Sequence, residues 1–471
     1  MRSKQPLPPP ENSSSRREFL THAAALAGAA AVGGACATEG AGQADTRPIP
    51  KSAKPAPLGP GDAIKVAVIG CGGMGAGSDG IIEKKLAAIL KENRKPSETI
   101  GGHLAGLCGY KAAGVENAEV VAVCDVNRKR REHCAKYASE LQGGLKVDPY
   151  LDHKELLARG DLHGVLIATP EHWHAPMAED AIAAGIDVYV EKPMTQGLEE
   201  AMRLRKVVQS NDRILQVGTQ YMMLPKYQAA RRLVAEGAIG TPTLLQTSYC
   251  RNSKDGEWNY YEIDPDLKPG PDLDWERWLG PLGPRAWDTK VYHRWRRYKD
   301  FSTGIIGDLL VHKMTPLVYA LDGGWPVRVT AHGSHLIDHE MENFDQVVLT
   351  VTFEGGQEMV VAGSTCNEQG IEDLIRGHKA TLYLGSNNCE LRPERIWVDD
   401  VDPQTVECPG ISDQDELRRD WLRCIRSRAK NQSPIDYGAK IMVIVDLAAR
   451  SMWTGKAWSF DPQAMRAAPL A

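Results

Sequence analysis

IKVAVIGCGGMGAG, residues 64–77, joins a short apolar run to a cluster of glycines. Ile64, Val66, Ala67, Val68 and Ile69 are apolar on both alternations, so a strand here is buried on both faces, the habit of a parallel sheet. Directly after it Gly70, Gly72 and Gly75 fall in the order G-x-G-x-x-G. Glycine permits the tight turn and lets the backbone touch a pyrophosphate, whose charge meets the amides of a helix start. Gly73 and Met74 complete the loop and are read with it as cofactor contacts. Alone the motif is weak; following a first strand, it gains weight.

Working outward, the next apolar run is AEVVAVCD, ending on Asp125. A carboxylate at that strand end grips a ribose diol and repels a 2′-phosphate, which favours NAD over NADP. Asn127 and Arg128 stand close enough to soften that preference. Such an acid usually falls about 20 residues past the glycines, whereas Asp125 lies 50 after Gly75. The excess falls in residues 78–101, an amphipathic stretch plus a loop, and the usual pattern resumes at GHLAGL, residues 102–107.

HGVLIATP, IDVYVEKP and RILQVGTQ continue the strand series, and helical patterns such as APMAEDAIAAG and LEEAMRLRKVVQSN lie between them. Strands alternating with helices predict a doubly wound parallel sheet with right-handed crossovers over residues 63–220. After Gln220 the strands lengthen and alternate, and FEGGQE reads as a hairpin turn. Residues 221–471 are therefore predicted to form an α+β domain on a largely antiparallel sheet.

Two strand ends carry chemistry. HGVLIATPEHWHAP ends at Thr169-Pro170 and takes His172 and His174 into a loop; IDVYVEKP ends on Glu191, Lys192 and Pro193 at the same edge. Ligands bind at that edge of an open parallel sheet. A lysine there stands over the cofactor, with proline shaping the turn that aims it. The glycine loop, the Ala168-Thr169-Pro170 end and the Glu191-Lys192-Pro193 turn together resemble the Gfo/Idh/MocA oxidoreductase family. The resemblance implies that Lys192 contacts the reacting oxygen, that Pro193 is cis, and that Thr169, Pro170, His174 and Glu191 lie against the dinucleotide. It continues through Trp275, Trp278-Leu279-Gly280-Pro281, Arg294-Trp295-Arg296, Gly304, Asp308 and His312, over roughly residues 63–455. Where the family commonly has an acid three residues past the histidine this chain has Thr315, and Leu310 replaces a glycine.

Asp308 and His312 are spaced i, i+4, one turn apart on a helix face, so the carboxylate is expected to orient the imidazole. His312 is read as the general base, poised near neutral pH, and Lys192 as donor to the developing alkoxide. Tyr292, Arg294 and Trp295, with Trp275, are expected to line a sugar site, with Lys192, Asp308 and His312 at its floor. The expected reaction moves a hydride between a nicotinamide and a secondary hydroxyl or ketone of a sugar, polyol or glycoside. Two alternatives stand beside it: a glycosidase using bound NAD in a closed redox cycle, and a non-catalytic sugar- or cofactor-binding protein. His172 and His174 lack the further ligands of a zinc site, and no metal is expected.

The bulk numbers agree with an ordinary globular enzyme: 471 residues, 42% hydrophobic and 25% charged, with net charge −5. No basic surface for nucleic acid is implied, and no run is long enough to span a membrane. Residues 1–37 carry Arg16-Arg17, an Ala/Gly-rich run and Ala35-Cys36-Ala37, the layout of a twin-arginine export signal cleaved after Ala37. Loss of that segment leaves 52 basic against 59 acidic residues, or −7. The protein is thus expected to engage the export machinery and to reside in the periplasm or envelope, with lipidation at Cys36 a lesser route. Residues 38–62 read as a Pro/Ala/Gly-rich tether. Ten cysteines without regular spacing predict no disulfide framework. A homo-oligomer is expected from the family resemblance.

Overall fold

The computed structural model describes residues 57–76 and 102–470. The export signal, Cys36, most of the tether and the segment 78–101 therefore lie outside the described residues.

The first apolar runs form β1 (Ile64–Ile69), β2 (Ala118–Cys124), β3 (Asp148–Tyr150), β4 (Gly164–Ile167), β5 (Asp187–Val190) and β6 (Leu215–Val217). They make one sheet in the order β3-β2-β1-β4-β5-β6, all parallel. β3 is only Asp-Pro-Tyr, too short and too polar to be legible as a strand; it forms because the edge of β2 offers it a partner. IDVYV is consequently the fifth parallel strand, one later than the sequence series suggests. Crossovers include α1 (His103–Ala112), α2 (Arg128–Leu141), α3 (His174–Ala183) and α4 (Leu198–Asn211). Asn127 caps α2 by accepting the Arg130 amide at 3.1 Å.

α5 (Pro225–Ala235) leads into the second domain. Its ten strands are β7 (Pro242–Cys250), β8 (Pro326–Ser334), β9 (Gln346–Phe353), β10 (Glu358–Ser364), β11 (Leu374–Gly377), β12 (Ala380–Leu384), β13 (Asn388–Pro393), β14 (Gln404–Glu407), β15 (Trp458–Asp461) and β16 (Arg466–Pro469). They lie in the order β14-β13-β12-β11-β7-β10-β9-β8-β15-β16, antiparallel except for β7 beside β10. β9 shows why one face is covered: Val347, Leu349, Val351 and Phe353 point in and are buried, while Val348 and Thr350 point out. α6 (Val311–Leu321) and α8 (Ile435–Thr454) cover the inward face. α7 (Asp413–Ser427) returns to the first domain. There Trp421 and Ile425 lie against Gly164 of β4, so close that a Cβ would sit 2.7 Å and 2.8 Å from them. No described helix is long and apolar enough to cross a membrane. The nine described cysteines are unpaired.

Candidate active site

The C-terminal ends of β1, β2, β4 and β5 meet at one edge. Gly70 leaves β1 at φ +93°, and a Cβ there would lie 2.6 Å from the Ala168 carbonyl oxygen. A Cβ on Gly75 would lie 1.8 Å from the Gly70 oxygen, so neither position tolerates a side chain. Gly73 has nothing within 4 Å of its Cβ position and Gly72 only the Arg130 guanidinium, at 3.7 Å. The turn Gly73–Ala76, with Met74 in it, thus presents open backbone above the sheet edge. Asp125 anchors the rim: one carboxylate oxygen accepts the Cys71 amide at 2.7 Å, the other the Asn127 amide at 2.7 Å. Thr169 Oγ1 at the end of β4 is buried without a partner among the described residues. An open glycine cradle, a carboxylate at its rim and an orphaned hydroxyl fit a dinucleotide.

His174, behind Thr169-Pro170, faces two carbonyls: Pro193 O at 2.7 Å from Nδ1 and Thr169 O at 2.9 Å from Nε2. Burial pushes its pKa down, against the two carbonyl contacts, which favour the charged ring. His174 ties the β4 end to the Glu191-Lys192-Pro193 turn. The Lys192–Pro193 bond is cis, as the resemblance implies.

Lys192 crosses the cleft to the second domain. Its Nζ donates to Asp308 Oδ1 at 2.9 Å and to the Asp308 carbonyl at 2.7 Å, with both side chains 9% exposed. Arg296 Nε donates to the same Oδ1 at 2.9 Å, and Trp258 Nε1 to Oδ2 at 3.3 Å. Burial alone would raise the Asp308 pKa, but the Lys192 and Arg296 charges and hydrogen bonds outweigh it and hold the carboxyl far below the usual range. His312 is buried between the rings of Tyr221 and Tyr249, at 5.5 Å and 6.4 Å. Burial, then the Lys192 charge, pushes it down to about 3. Its Nδ1 has no partner among the described residues.

Several expectations are corrected here. Asp308 does not orient His312. Residues Ile306–Leu310 form a π-turn ahead of α6, and the carboxylate's hydrogen bonds go to Lys192, Arg296 and Trp258. Nor is His312 poised near neutrality; desolvation holds it neutral instead. Trp275 and Tyr292 do not line a sugar site. Trp275 stacks on Trp278 at 4.8 Å in a separate aromatic cluster, and the Tyr292 hydroxyl accepts Asn127 Nδ2 at 3.2 Å, beside the cofactor rim. Arg294 braces the loop before it, donating to Tyr261 O and Asn259 Oδ1. Trp295 meets Arg296, whose guanidinium lies 4.2 Å from its ring. Thr315, in the place of the family's second acid, turns its hydroxyl back to the Val311 carbonyl at 2.6 Å.

Arg296, Trp258, Tyr221, Tyr249 and Glu171 escaped the sequence reading as site residues. Arg296 sat visibly inside Arg-Trp-Arg and Glu171 next to Pro170, whereas no local pattern marks Trp258 or the two tyrosines. Glu171 is fully buried; its Oε1 accepts the Ser302 hydroxyl at 2.6 Å and its Oε2 the Thr303 amide at 3.3 Å. Burial, against the Ser302 hydrogen bond, pushes it up to about 7. His172 is likewise spoken for, with its Nε2 on the Trp278 carbonyl at 2.8 Å. Among the described residues no cluster of three or more potential ligands could hold a metal ion.

Comparison with known proteins agrees with the two-domain fold. A sequence model of the oxidoreductase family, NAD-binding Rossmann fold, matches residues 64–219, and that of the same family's C-terminal alpha/beta domain matches residues 225–468. The inositol 2-dehydrogenase of Burkholderia lata is 30% identical over 234 residues, covering 49% of this chain and 58% of the relative. The uncharacterized oxidoreductase YrbE of Bacillus subtilis is 26% identical over 254 residues, covering 53% and 62%. The chain thus spans less than two thirds of the length of these curated relatives. Among solved structures, levoglucosan dehydrogenase in complex with NADH and levoglucosan superposes with TM-score 0.58 at 19% identity, covering 84% of this chain and 99% of that one. An NAD binding oxidoreductase from Klebsiella pneumoniae gives 0.59 at 19%, covering 84% and 98%. At such identities these likenesses speak to the fold.

Proposed function

Because the chain belongs to the Gfo/Idh/MocA oxidoreductase family, we propose that it is an NAD-dependent dehydrogenase acting on a secondary hydroxyl of a sugar or polyol. The observation that carries the reading is the Lys192 ammonium, fixed 2.9 Å from Asp308 beside a neutral buried imidazole at a dinucleotide-type sheet edge. The relatives named above support it: an inositol 2-dehydrogenase and a levoglucosan dehydrogenase are among them, and none is named a glycosidase.

A nicotinamide dinucleotide held by residues 70–75, Asp125 and the Thr169 end would supply the hydride-accepting ring. The chain's own groups manage the proton and the charge. An ammonium has three donors. Lys192 uses two on Asp308, which leaves one for the substrate oxygen. A fixed positive charge on a side chain only 9% exposed stabilises that oxygen as it becomes negative. Asp308, held ionised, keeps the ammonium charged and aimed and takes no part as acid or base. His312, neutral at pH 7, has a ring nitrogen able to receive the hydroxyl proton. Tyr221 and Tyr249 hold the imidazole between their rings.

Lys192→Met tests the assignment. Turnover should fall on the order of 10²–10³-fold while NAD binding stays within a few-fold; equal loss of both refutes the role.

Export by the twin-arginine route is proposed on Arg16-Arg17 and the Ala35-Cys36-Ala37 site. A cofactor acquired before export must stay bound, so NAD is held tightly. N-terminal sequencing of protein from the periplasmic fraction should begin at Thr38. Self-association through the outward face of the ten-stranded sheet is also proposed, supported by the outward row Val348 and Thr350; light scattering reads the mass directly.

A further inference from the structure

Glu191 takes no part in the proton chemistry above, yet it is 5% exposed, charged and adjacent in sequence to Lys192. Its Oε1 accepts His103 Nε2–H at 2.8 Å and its Oε2 accepts the amide of Lys192 at 3.2 Å. A Cβ on Gly218 would lie 2.8 Å from Oε1, so glycine there makes room for the carboxylate. His103 is 0% exposed and is the first residue of α1.

Behind His103 stands Arg418 of α7, more than 300 residues away in sequence. Its Nη1 lies 3.4 Å from His103 Nδ1, its Nε donates to Tyr110 Oη at 3.0 Å, and its Nη2 donates to Asp415 Oδ1 at 3.0 Å. The Tyr110 hydroxyl also donates to Asp415 Oδ1, at 2.6 Å. Gly106 opens α1 to the guanidinium, since a Cβ there would lie 2.8 Å from Arg418 Nε. An arginine can only donate, so Nδ1 of His103 presents its lone pair and the ring hydrogen sits on Nε2, pointing at Glu191.

We propose that His103 and Arg418 are positioning residues: Arg418 fixes the His103 tautomer, His103 holds Glu191 ionised and in place, and Glu191 sets the backbone of the turn that aims Lys192. The proposal rests on the reading of Lys192 as the substrate-facing cation. It ties the active lysine to the helix that follows the glycine loop and to a C-terminal helix outside the cleft. The charged and titratable groups around Glu191 are His103 from α1, His174 from α3, His312 from α6, and Lys192 and Tyr189 from its own strand and turn. Burial pushes Glu191 up, and the His103 hydrogen bond with the Lys192 charge brings it below the ordinary range.

The test uses the full chain with bound cofactor and the variants His103→Phe, His103→Gln and Arg418→Met. The infrared carbonyl band of a protonated carboxyl is followed as pH falls, with Glu191→Gln identifying the band. In His103→Phe the Glu191 band should appear at a pH higher by about one unit or more. Its kcat should fall on the order of 10–100-fold, by analogy with partners that orient a metal ligand, with the NAD affinity moved far less. His103→Gln, which keeps an N–H toward Glu191, should recover most of both. A folded His103→Phe protein with unmoved titration and unchanged kcat overturns the proposal, as does a folded His103→Gln protein that recovers neither. If His103→Phe does not fold, Arg418→Met decides: its Glu191 band must move up in pH, and an unmoved band overturns the proposal. The infrared arm stands even if no sugar or polyol is turned over, so failure of the dehydrogenase reading is told apart from failure of this one.

Discussion

Lys192 and Asp308, 116 residues apart, are joined twice: the ammonium donates both to the Asp308 carboxylate and to its backbone carbonyl, at 2.9 Å and 2.7 Å. The first contact fixes charge and the second fixes direction. Because Lys192 belongs to the first domain and Asp308 to the second, the pair also registers the two sheets against each other across the cleft.

Removing the shared carboxylate should therefore damage both stability and rate. Asp308→Asn leaves Lys192 and Arg296 buried without their anion, a change that costs about 3–5 kcal/mol for buried pairs. Urea denaturation should show a loss of this order, and kcat should fall with it. A variant as stable as the parent would mean that water reaches the pair freely.

His312, at about 3, is already neutral across the working pH range. The acid limb of kcat/KM should therefore show no histidine titration near 6.5. Glu171, at about 7, is a buried site carboxyl able to produce an inflection there, so the cleanest measurement uses Glu171→Gln over pH 5–9. A limb near 6.5 that persists in this variant would contradict the neutral-imidazole assignment.

Glu171 also makes a stability prediction with a definite sign. Its folded pKa lies above the unfolded value of 4.5, so its contribution is fully present below pH 4.5 and is lost as pH rises through 7. By linkage the loss amounts to roughly 3 kcal/mol. Asp308 acts oppositely: its carboxyl is held low, so its contribution is present above the unfolded pKa and lost only in strong acid. Comparing Glu171→Gln with the parent at pH 5 and pH 8 isolates the first effect. The variant should gain, relative to the parent, as pH rises; a difference independent of pH would contradict it.

Gly75→Ala should abolish cofactor retention. The new Cβ would lie 1.8 Å from the Gly70 oxygen, a backbone atom that cannot rotate away. Overpacking of this kind costs about 1–3 kcal/mol and displaces the loop that faces the pyrophosphate. Mass spectrometry of the native protein reads bound nucleotide directly, and a variant that keeps it would show that the loop relaxes elsewhere.

Asp125→Ser should weaken NAD and narrow its margin over NADP. The carboxylate leaves the rim, and with it the acceptor for the Cys71 and Asn127 amides. Arg130, whose guanidinium lies 3.7 Å from the Gly72 Cβ position, and Arg131, which donates to the Asp125 carbonyl at 3.2 Å, bring positive charge to that rim, where a 2′-phosphate would lie. Titration with both dinucleotides measures the ratio; an unchanged ratio would place the preference elsewhere.

The alternation of buried runs and helices, the glycine loop and the three reactive side chains were legible in the chain itself, because each is a property of neighbours within a few positions. Residues 64–75 need nothing distant to form a strand and a tight turn, and Lys192 ends a buried strand whose direction is set by its own apolar run. What the linear spacing could not specify was which side chain meets which. Asp308 and His312 are four apart and looked like partners, but the π-turn at Ile306–Leu310 and the arrival of Lys192, Arg296 and Trp258 from three other segments turn the carboxylate away. Trp275 and Tyr292 are drawn into an aromatic cluster, and Arg418 reaches His103 from more than 300 residues away. Periodicity and turn chemistry act over a turn or a strand, so the elements and the reactive groups could be read from the order of residues alone. Partner choice and desolvation arise only when the two sheets close around the cleft, and those tertiary contacts alone decided that Lys192 is aimed, Asp308 is charged and His312 is neutral.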